Sequence, residues 1–247
     1  MTIVKSGTHL IFRFLGIAAG LGPSWFPSWG EFLFEPKRYL DPLNGLFVFA
    51  HCTPPYDEIF KTDKSEYYKI LGIRDLRDVI VSYVDWIKSM KEYYSNYFPF
   101  SIDDFCEQDL DSQLENVLLY SSCELKVQTK SAIECMKNPT VFICRYEDLV
   151  GPKGGGDLNR QIETMIMLAD HVRSPLSQEK ITELLDQLYG AGHTFRKGQV
   201  GRWRTAFKRS HVELFKQVLG DELIQLGYEE DNEWGIPEEH IQLEPQI

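Results

Sequence analysis

Short apolar runs alternate with amphipathic helical segments along this chain, and that alternation is the strongest constraint on its fold. Residues 45–51 form a compact apolar run, residues 67–75 form another, and residues 140–149 open as a third. Residues 76–94 carry apolar side chains at helical spacing. Apolar strands separated by helices favour a parallel sheet covered on both faces. The sequence therefore predicts an α/β fold of three layers, with a central parallel sheet flanked by helices, in a single domain over residues 1–247.

The same periodicities predict the remaining elements. A short strand at Ile3 and Val4 precedes a turn and then a helix that includes Leu10. Ser177 is placed to cap one of the later helices. The other predicted helices cover residues 112–137, 158–171, 177–189 and 208–226.

Composition limits the classes of partner. The formal net charge of −11 opposes an extended nucleic-acid partner, which requires a basic face, but it allows a small anionic ligand held by a few cations. The five cysteines form no CxxC pair and no Cys/His ligand spacing, so neither a zinc site nor a disulfide scaffold is indicated. A packing role for these cysteines and a cytoplasmic location are expected.

The first twenty residues allow two interpretations. Lys5, an apolar run and a small-residue end resemble a secretory signal, but Arg13 places a charge in the middle of that run. The alternative is a phosphate-binding turn that opens a buried helix. No segment reaches 18 uncharged apolar residues, so no membrane span is predicted.

Candidate anion-binding groups follow the predicted strands. Residues 5–8 follow the first strand, His51 the second and Arg74 the third, while residues 196–198 form a basic loop with a glycine. Ligands of parallel sheets collect beyond the carboxyl ends of the strands. A ligand with two separated phosphate-like groups fits this pattern.

The turn KSGT at residues 5–8 is a weak signal by itself. It is not a Walker A loop, which requires an upstream glycine. Gly7 permits close approach of the backbone, Lys5 supplies a charge and Thr8 a hydroxyl at a helix start. A capped helix with an exposed lysine is the alternative interpretation. A packed histidine beside the Pro-Pro turn is likewise the alternative for His51.

Four motifs, taken together, favour the functional interpretations over these structural alternatives. They are 5-KSGT-8, 74-RDLRDVIVSY-83, 146-YED-148 and 196-RKGQVGRW-203. With them the chain resembles the sulfotransferases of the cytosolic type, which use 3′-phosphoadenosine 5′-phosphosulfate (PAPS) and have a P-loop-like fold. The resemblance implies direct in-line transfer of the sulfuryl group to a hydroxyl or amine acceptor, with release of 3′-phosphoadenosine 5′-phosphate (PAP) and without a metal.

The resemblance also implies roles for individual residues. His51 is the expected catalytic base, and Lys5 is expected to neutralise the charge that develops on the leaving phosphate. Arg74 and Ser82 are expected at the 3′-phosphate and Tyr146 at the adenine. The full set of expected cofactor-binding residues is Lys5, Ser6, Gly7, Thr8, His9, Arg74, Ser82, Tyr146, Arg196, Lys197 and Gly198.

Several positions depart from the family pattern. Leu10 replaces an aromatic that stacks on adenine, Phe49 replaces a lysine near the catalytic histidine, and His9 replaces a threonine of the turn. Arg202 replaces an acid that need not touch the cofactor. The aromatic-rich residues 23–49, together with residues 95–112, are the expected walls for a small apolar or aromatic acceptor. The oligomeric state stays open, and a P-loop-like nucleotide kinase or a catalytically lapsed nucleotide-binding protein is the alternative.

Overall fold

The computed structural model describes residues 1–20, 22–24, 46–48, 51–52, 60, 68–89, 100–190 and 197–235. The chain divides into two compact units. Unit 1 consists of Met1–Arg74 and Val127–Val200, and unit 2 of Asp75–Lys126 and Gly201–Ile247. That the two units together form one domain remains a prediction.

The described strands are β1 (Gly22–Ser24), β2 (Leu46–Val48), β3 (Lys69–Ile73) and β4 (Val141–Arg145). The described helices are α1 (Thr8–Ala19), α2 (Leu76–Ser89), α3 (Ile102–Glu107), α4 (Leu110–Met136), α5 (Tyr146–Val150), α6 (Leu158–His171), α7 (Gln178–Gln187), α8 (Trp203–Ala206) and α9 (Arg209–Gln225), with a single 3₁₀ turn at Pro152–Gly154.

Parallel pairing organises the strands of unit 1. Strand β3 pairs in parallel with β4, with Lys69 opposite Val141, and β1 pairs in parallel with β2. Thr2 forms isolated parallel bridges to Gly72 of β3 and to His51. The amino-terminal segment therefore lies between β3 and the segment of His51, so that three chain segments end at one edge.

The core of unit 1 lies under α1. Phe14 is fully buried and packs in one cluster with Leu168 of α6, Leu184 of α7 and Cys144 of β4. Burying one large apolar side chain contributes about 1.5–3 kcal/mol. The apolar run that resembles a secretory signal thus supplies the buried face of α1.

A buried arginine organises part of unit 2. The guanidinium carbon of Arg77, on α2, lies 4.0 Å from the ring centroid of Trp203 and 4.6 Å from that of Trp234. Nη2 of Arg77 pairs with Asp75 Oδ2 at 2.7 Å. Nη1 of Arg77 pairs with Glu229 Oε1 at 2.5 Å. Burial by itself would lower the pKa of Arg77, but the hydrogen bonds and charges of Asp75 and Glu229 raise it.

The mixed α/β class and the parallel pairing agree with the sequence prediction. The described strands form two separate pairs, β1 with β2 and β3 with β4, and therefore do not test the three-layer arrangement. Helix α6 has the predicted bounds, and the Ser177 side chain accepts a hydrogen bond from the Lys180 amide as the predicted cap of α7. In the part of the chain that the structure describes, no helix is long and apolar enough to cross a membrane.

Candidate functional site

The turn at residues 5–8, called the phosphate turn below after its predicted role, contains two residues in the left-handed region. Lys5 has a φ of 61° and Gly7 a φ of 83°. Glycine adopts this conformation freely, whereas for lysine it costs about 1–2 kcal/mol. The turn ends where α1 begins at Thr8. The contacts around Lys5 must therefore hold it in an unfavourable conformation.

Three hydrogen bonds fix the backbone around Lys5. The Val4 amide donates to Gln128 Oε1 at 2.7 Å, and the Ser6 amide donates to the Ile3 carbonyl at 3.2 Å. Arg74 Nη1 donates to the Lys5 carbonyl at 3.4 Å. The Ile3–Val4 and Lys5–Ser6 peptide groups are thus anchored, which offsets the cost of the left-handed conformation of Lys5.

Gly7 lies directly against the ring of Tyr146. A Cβ atom at this position would be 2.5 Å from Cδ2 of Tyr146, closer than such atoms approach in proteins. The glycine is therefore required both by its positive φ and by this contact. The turn and α5, which begins at Tyr146, form one packed structure.

Arg74 connects the turn to the loop at residues 197–200. Its side chain is buried, its guanidinium carbon lies 4.2 Å from the Tyr146 ring centroid, and its Nη2 donates to the Gln199 carbonyl at 2.9 Å. The Tyr146 hydroxyl donates to the Gly198 carbonyl at 2.6 Å. Unit 1 thereby brings the phosphate turn, Arg74, Tyr146 and Gly198 together.

Ser6 provides a test of whether an anion fits the turn. Its residue is 1% exposed, and its hydroxyl has no hydrogen-bond partner among the described residues. A buried polar group without a partner costs about 1–3 kcal/mol. A phosphate oxygen would supply the missing acceptor, and amides at the start of α1 could donate to the same group. The residues present therefore fit an anionic group.

His51 lies next to this turn in unit 1. The residue keeps an exposed surface although protein atoms crowd its ring, and its Nδ1 lies 3.5 Å from Thr2 Oγ1. The pKa of His51 is lowered from the ordinary value of 6.5, first because protein atoms displace water from the ring. The backbone of Thr2 opposes this shift, and the positive charges of the Met1 amino group, Lys5 and His9 add to it. A neutral imidazole at pH 7 has a nitrogen that can accept a proton.

The other predicted residues are less closely associated. His9 is half-buried on α1 and packs edge-to-face against Phe12, with 5.5 Å between ring centroids. Lys197 is exposed, and its carbonyl accepts a hydrogen bond from Tyr189. Ser82 is half-buried on α2, in unit 2. Arg196 lies outside the described residues.

The structure also shows where some of the residues that depart from the family pattern lie. Leu10 is half-buried and packs against the core cluster of unit 1, as an apolar helix residue does. Arg202 pairs with Asp85 at 2.6 Å within unit 2. Phe49 lies outside the described residues. The expected acceptor walls lie largely outside them too, although Phe100 stacks on Phe105 with ring centroids 5.2 Å apart.

Two buried residues with long-range hydrogen bonds, one in each unit, were not predicted. Gln128 is buried on α4, and no local sequence signal connects it to Val4, which is 124 positions away. Asp78 accepts hydrogen bonds from the amides of Gly201 at 2.7 Å and Trp203 at 3.1 Å. Asp78 belongs to the 74–83 motif, so a buried acid within that motif was the available signal.

The described residues contain no group of three or more His, Cys, Asp or Glu side chains that could hold a metal ion. Asp75, which directly follows Arg74, is bound by Arg77 through Nε at 2.9 Å and Nη2 at 2.7 Å. This carboxylate is therefore already engaged within the protein.

Comparison with known proteins identifies the family of this chain. A family model described as "Sulfotransferase domain" matches residues 55–227, which is well over half of the chain. The matched span includes Arg74, Ser82 and Tyr146, whereas Lys5 and His51 precede it. Searches of the curated proteins and of the solved structures found no match. The chain belongs to the sulfotransferase-domain family.

Proposed function

We propose that this protein transfers the sulfuryl group of PAPS to a hydroxyl or amine group of a small acceptor. The observation that carries this proposal is the clustering of the phosphate turn, Arg74, Tyr146 and Gly198 within unit 1. This cluster combines a buried guanidinium, the amides at the start of α1, and a Ser6 hydroxyl that has no hydrogen-bond partner among the described residues, all of which suit phosphate groups. Membership of the sulfotransferase family favours PAPS as the donor.

The proposed roles begin at the turn. Lys5 and the backbone of residues 6–9 hold the 5′-phosphosulfate, and the Lys5 ammonium neutralises charge on the leaving phosphate. The Thr8 hydroxyl lies at the start of α1, where it can donate to a phosphate oxygen. Arg74 holds the 3′-phosphate, and Tyr146 contacts the adenine.

The family resemblance alone assigns Ser82, Arg196, Lys197 and the Gly198 backbone to the 3′-phosphate. His9 completes the proposed turn contacts. A three-layer P-loop-like fold in one domain, a cytoplasmic location and a small apolar or aromatic acceptor belong to the same proposal.

The proposed reaction is a direct in-line displacement. The acceptor oxygen attacks sulfur while His51 removes its proton, so a new S–O bond forms as the bond between sulfur and the bridging 5′-phosphate oxygen breaks. The electron pair of that bond leaves with PAP, and Lys5 stabilises its charge. The lowered pKa of His51 supports this role, because the imidazole is then neutral and able to accept a proton near pH 7.

A nucleotide kinase is the main alternative, and it requires a carboxylate for magnesium near the phosphates. Asp75 accepts hydrogen bonds from the amide, Nε and Nη2 of Arg77, so its oxygens are already engaged, which supports the sulfotransferase instead.

A transfer assay with labelled donor tests the proposal. The full chain is incubated with ³⁵S-labelled PAPS and separate pools of phenols, alcohols and amines, and the products are separated by chromatography. We expect PAP and one or more labelled sulfate esters or sulfamates, and none with His51→Ala. Formation of a phosphorylated acceptor from ATP, with no product from PAPS, would overturn the proposal.

A further inference from the structure

Three consecutive carbonyls of the loop at residues 197–200 each accept a hydrogen bond from a side chain of unit 1. The loop backbone is therefore fixed by side chains rather than by pairing with a strand. The three bonds run from the Tyr189 hydroxyl to Lys197 at 2.7 Å, from the Tyr146 hydroxyl to Gly198 at 2.6 Å and from Arg74 Nη2 to Gln199 at 2.9 Å.

Tyr189 is bound in turn by the side chain of Gln199. Gln199 Nε2 donates to the Tyr189 hydroxyl and to the Lys153 carbonyl, both at 2.8 Å. A carbonyl oxygen only accepts hydrogen bonds, so the atom of the Gln199 amide that faces Lys153 is the nitrogen. The Tyr189 hydroxyl accepts from Gln199 and donates its single hydrogen to the Lys197 carbonyl. The chain of bonds from Gln199 through Tyr189 to Lys197 therefore has one direction.

The loop and the Tyr189 ring both pack closely on Gly154. The Val200 amide donates to the Gly154 carbonyl at 2.8 Å. A Cβ atom on Gly154 would lie 2.9 Å from the Gly198 carbonyl oxygen and 2.9 Å from Cε2 of Tyr189. The absence of a side chain at Gly154 thus lets Tyr189 and the loop lie against the same stretch of backbone.

Binding of the carbonyls determines where the amides of the loop point. In a trans peptide group the C=O and N–H bonds point in opposite directions. The Lys197 carbonyl is directed at Tyr189, so the Gly198 amide points away from that ring. The Gln199 amide likewise points away from Tyr146. Gly198 has a φ of 58°, a left-handed conformation of the kind found in backbone nests that bind anions. This orientation of the loop favours an anion, which accepts from amides and is repelled by carbonyl oxygens.

We propose that Tyr189 and Gln199 are positioning residues that hold the backbone of Lys197 and Gly198 in the orientation that binds the 3′-phosphate of PAP. This inference rests on the proposed function, in which that part of the loop contacts the 3′-phosphate. Both side chains act through the loop and not on the nucleotide itself. Their effect is therefore selective, because they raise the affinity for nucleotides with a 3′-phosphate and not for nucleotides that lack it.

Calorimetry with two nucleotides tests this selectivity. PAP and adenosine 5′-phosphate differ only in the 3′-phosphate, so the ratio of their dissociation constants measures the contribution of that group. Tyr189→Phe removes the hydroxyl and keeps the ring. We expect it to weaken PAP binding roughly three- to tenfold, the factor worth one neutral hydrogen bond, and to leave binding of adenosine 5′-phosphate unchanged. Gln199→Leu should shift the ratio in the same direction.

Tyr68→Phe is the matched control. It removes the same hydroxyl from a residue of unit 1 that is 51% exposed, and it should leave both dissociation constants unchanged. An unchanged ratio in Tyr189→Phe or Gln199→Leu, or an equal loss of affinity for both nucleotides, would overturn the inference. Each of the two variants is decisive by itself, so the failure of one to fold leaves the other as the test.

Amide hydrogen exchange of the full chain without nucleotide separates this inference from the proposed function. The Val200 amide, which donates to the Gly154 carbonyl, reports on the loop. We expect its exchange to be roughly three- to tenfold faster in Tyr189→Phe and unchanged in Tyr68→Phe. Faster exchange, with no binding of PAP to the unaltered chain, would uphold the positioning of the loop and refute the proposed donor. Unchanged exchange would overturn the inference even if PAP binds.

Discussion

The guanidinium carbon of Arg74 lies 4.2 Å from the ring centroid of Tyr146, and the two side chains together join the phosphate turn to the loop at residues 197–200. Arg74 donates to the Lys5 and Gln199 carbonyls, while Tyr146 donates to the Gly198 carbonyl. A cation over an aromatic ring contributes about 0.5–2 kcal/mol. The charge proposed to bind phosphate is therefore also part of the structure that positions the turn.

Replacement of Gly7 by alanine should destabilise the protein more than replacement of Gly20. Both residues have positive φ, 83° and 66°, but only the Gly7 site places a new Cβ against Tyr146, and nothing lies within 4 Å at Gly20. The left-handed backbone costs about 1 kcal/mol at each site, and the clash at Gly7 adds about 1–3 kcal/mol. Urea unfolding of both variants measures the difference. Equal losses would show that the contact with Tyr146 does not constrain the turn.

Gln128→Leu should destabilise the turn and weaken PAP binding together. The substitution leaves the Val4 amide without its 2.7 Å acceptor, at a cost of about 1–3 kcal/mol. Gln187→Leu, at an exposed position of α7, is the control. Urea unfolding gives the stability and calorimetry gives the PAP dissociation constant. A Gln128→Leu protein that binds PAP as the unaltered chain does would remove Gln128 from the support of Lys5.

Loss of the Asp78 carboxylate should destabilise unit 2. Asp78 is 1% exposed and accepts hydrogen bonds from the Gly201 and Trp203 amides. Asp78→Ala leaves both amides without this acceptor, which should cost about 2–4 kcal/mol of unfolding free energy. Asp221→Ala, at an exposed position of α9, should change stability by less than about 0.5 kcal/mol. Similar denaturation midpoints for the two variants would contradict this role.

His51→Ala should abolish sulfuryl transfer and leave PAP binding nearly unchanged, because the base acts on the acceptor and not on the nucleotide. Desolvation of the ring by neighbouring protein atoms lowers the pKa of His51 from its ordinary value of 6.5, so the neutral base is already the main form at pH 7. The rate of the unaltered protein should therefore fall only as the pH drops below 6.5 and through the lowered pKa. A variant with near-normal turnover would show that His51 is structural.

The same lowered pKa affects stability. The unfolded chain binds a proton at His51 more readily than the folded chain does, so the free energy of unfolding should decrease as the pH falls below 6.5. His171, whose pKa is also lowered by burial, acts in the same direction. Urea unfolding at several pH values, with His51→Gln and His171→Gln for comparison, measures each contribution. If the unfolding free energy depends on pH in the same way in both variants as in the unaltered protein, these contributions are absent.

Local patterns in the sequence were sufficient for much of the fold. The apolar periodicity predicts α6 with its observed bounds, and Ser177 caps α7 as predicted. Both predictions succeed because periodicity and capping depend on residues close in sequence. The first strand was predicted at Ile3 and Val4, whereas the observed pairing involves Thr2, since Val4 already belongs to the turn. Boundaries of so short a segment are set by its neighbours.

Contacts between residues distant in sequence could not be predicted in the same way. Val4 with Gln128 and Asp85 with Arg202 join residues more than a hundred positions apart, and no periodicity connects such pairs. The left-handed conformation of Lys5 was equally hidden, because lysine does not favour it and only the tertiary contacts hold it. The motifs predict candidate reactive residues but not the residues that hold them in place.

The melting temperature in the presence of PAP tests the central claim most directly, because a ligand that binds the folded state selectively must stabilise it. We expect saturating PAP to raise the melting temperature of the unaltered chain, and ATP to raise it less. Arg74→Ala should lose most of the PAP response, while Arg209→Ala, whose exposed side chain pairs with Glu213 on α9, should keep it. A shift with ATP and none with PAP would contradict the account.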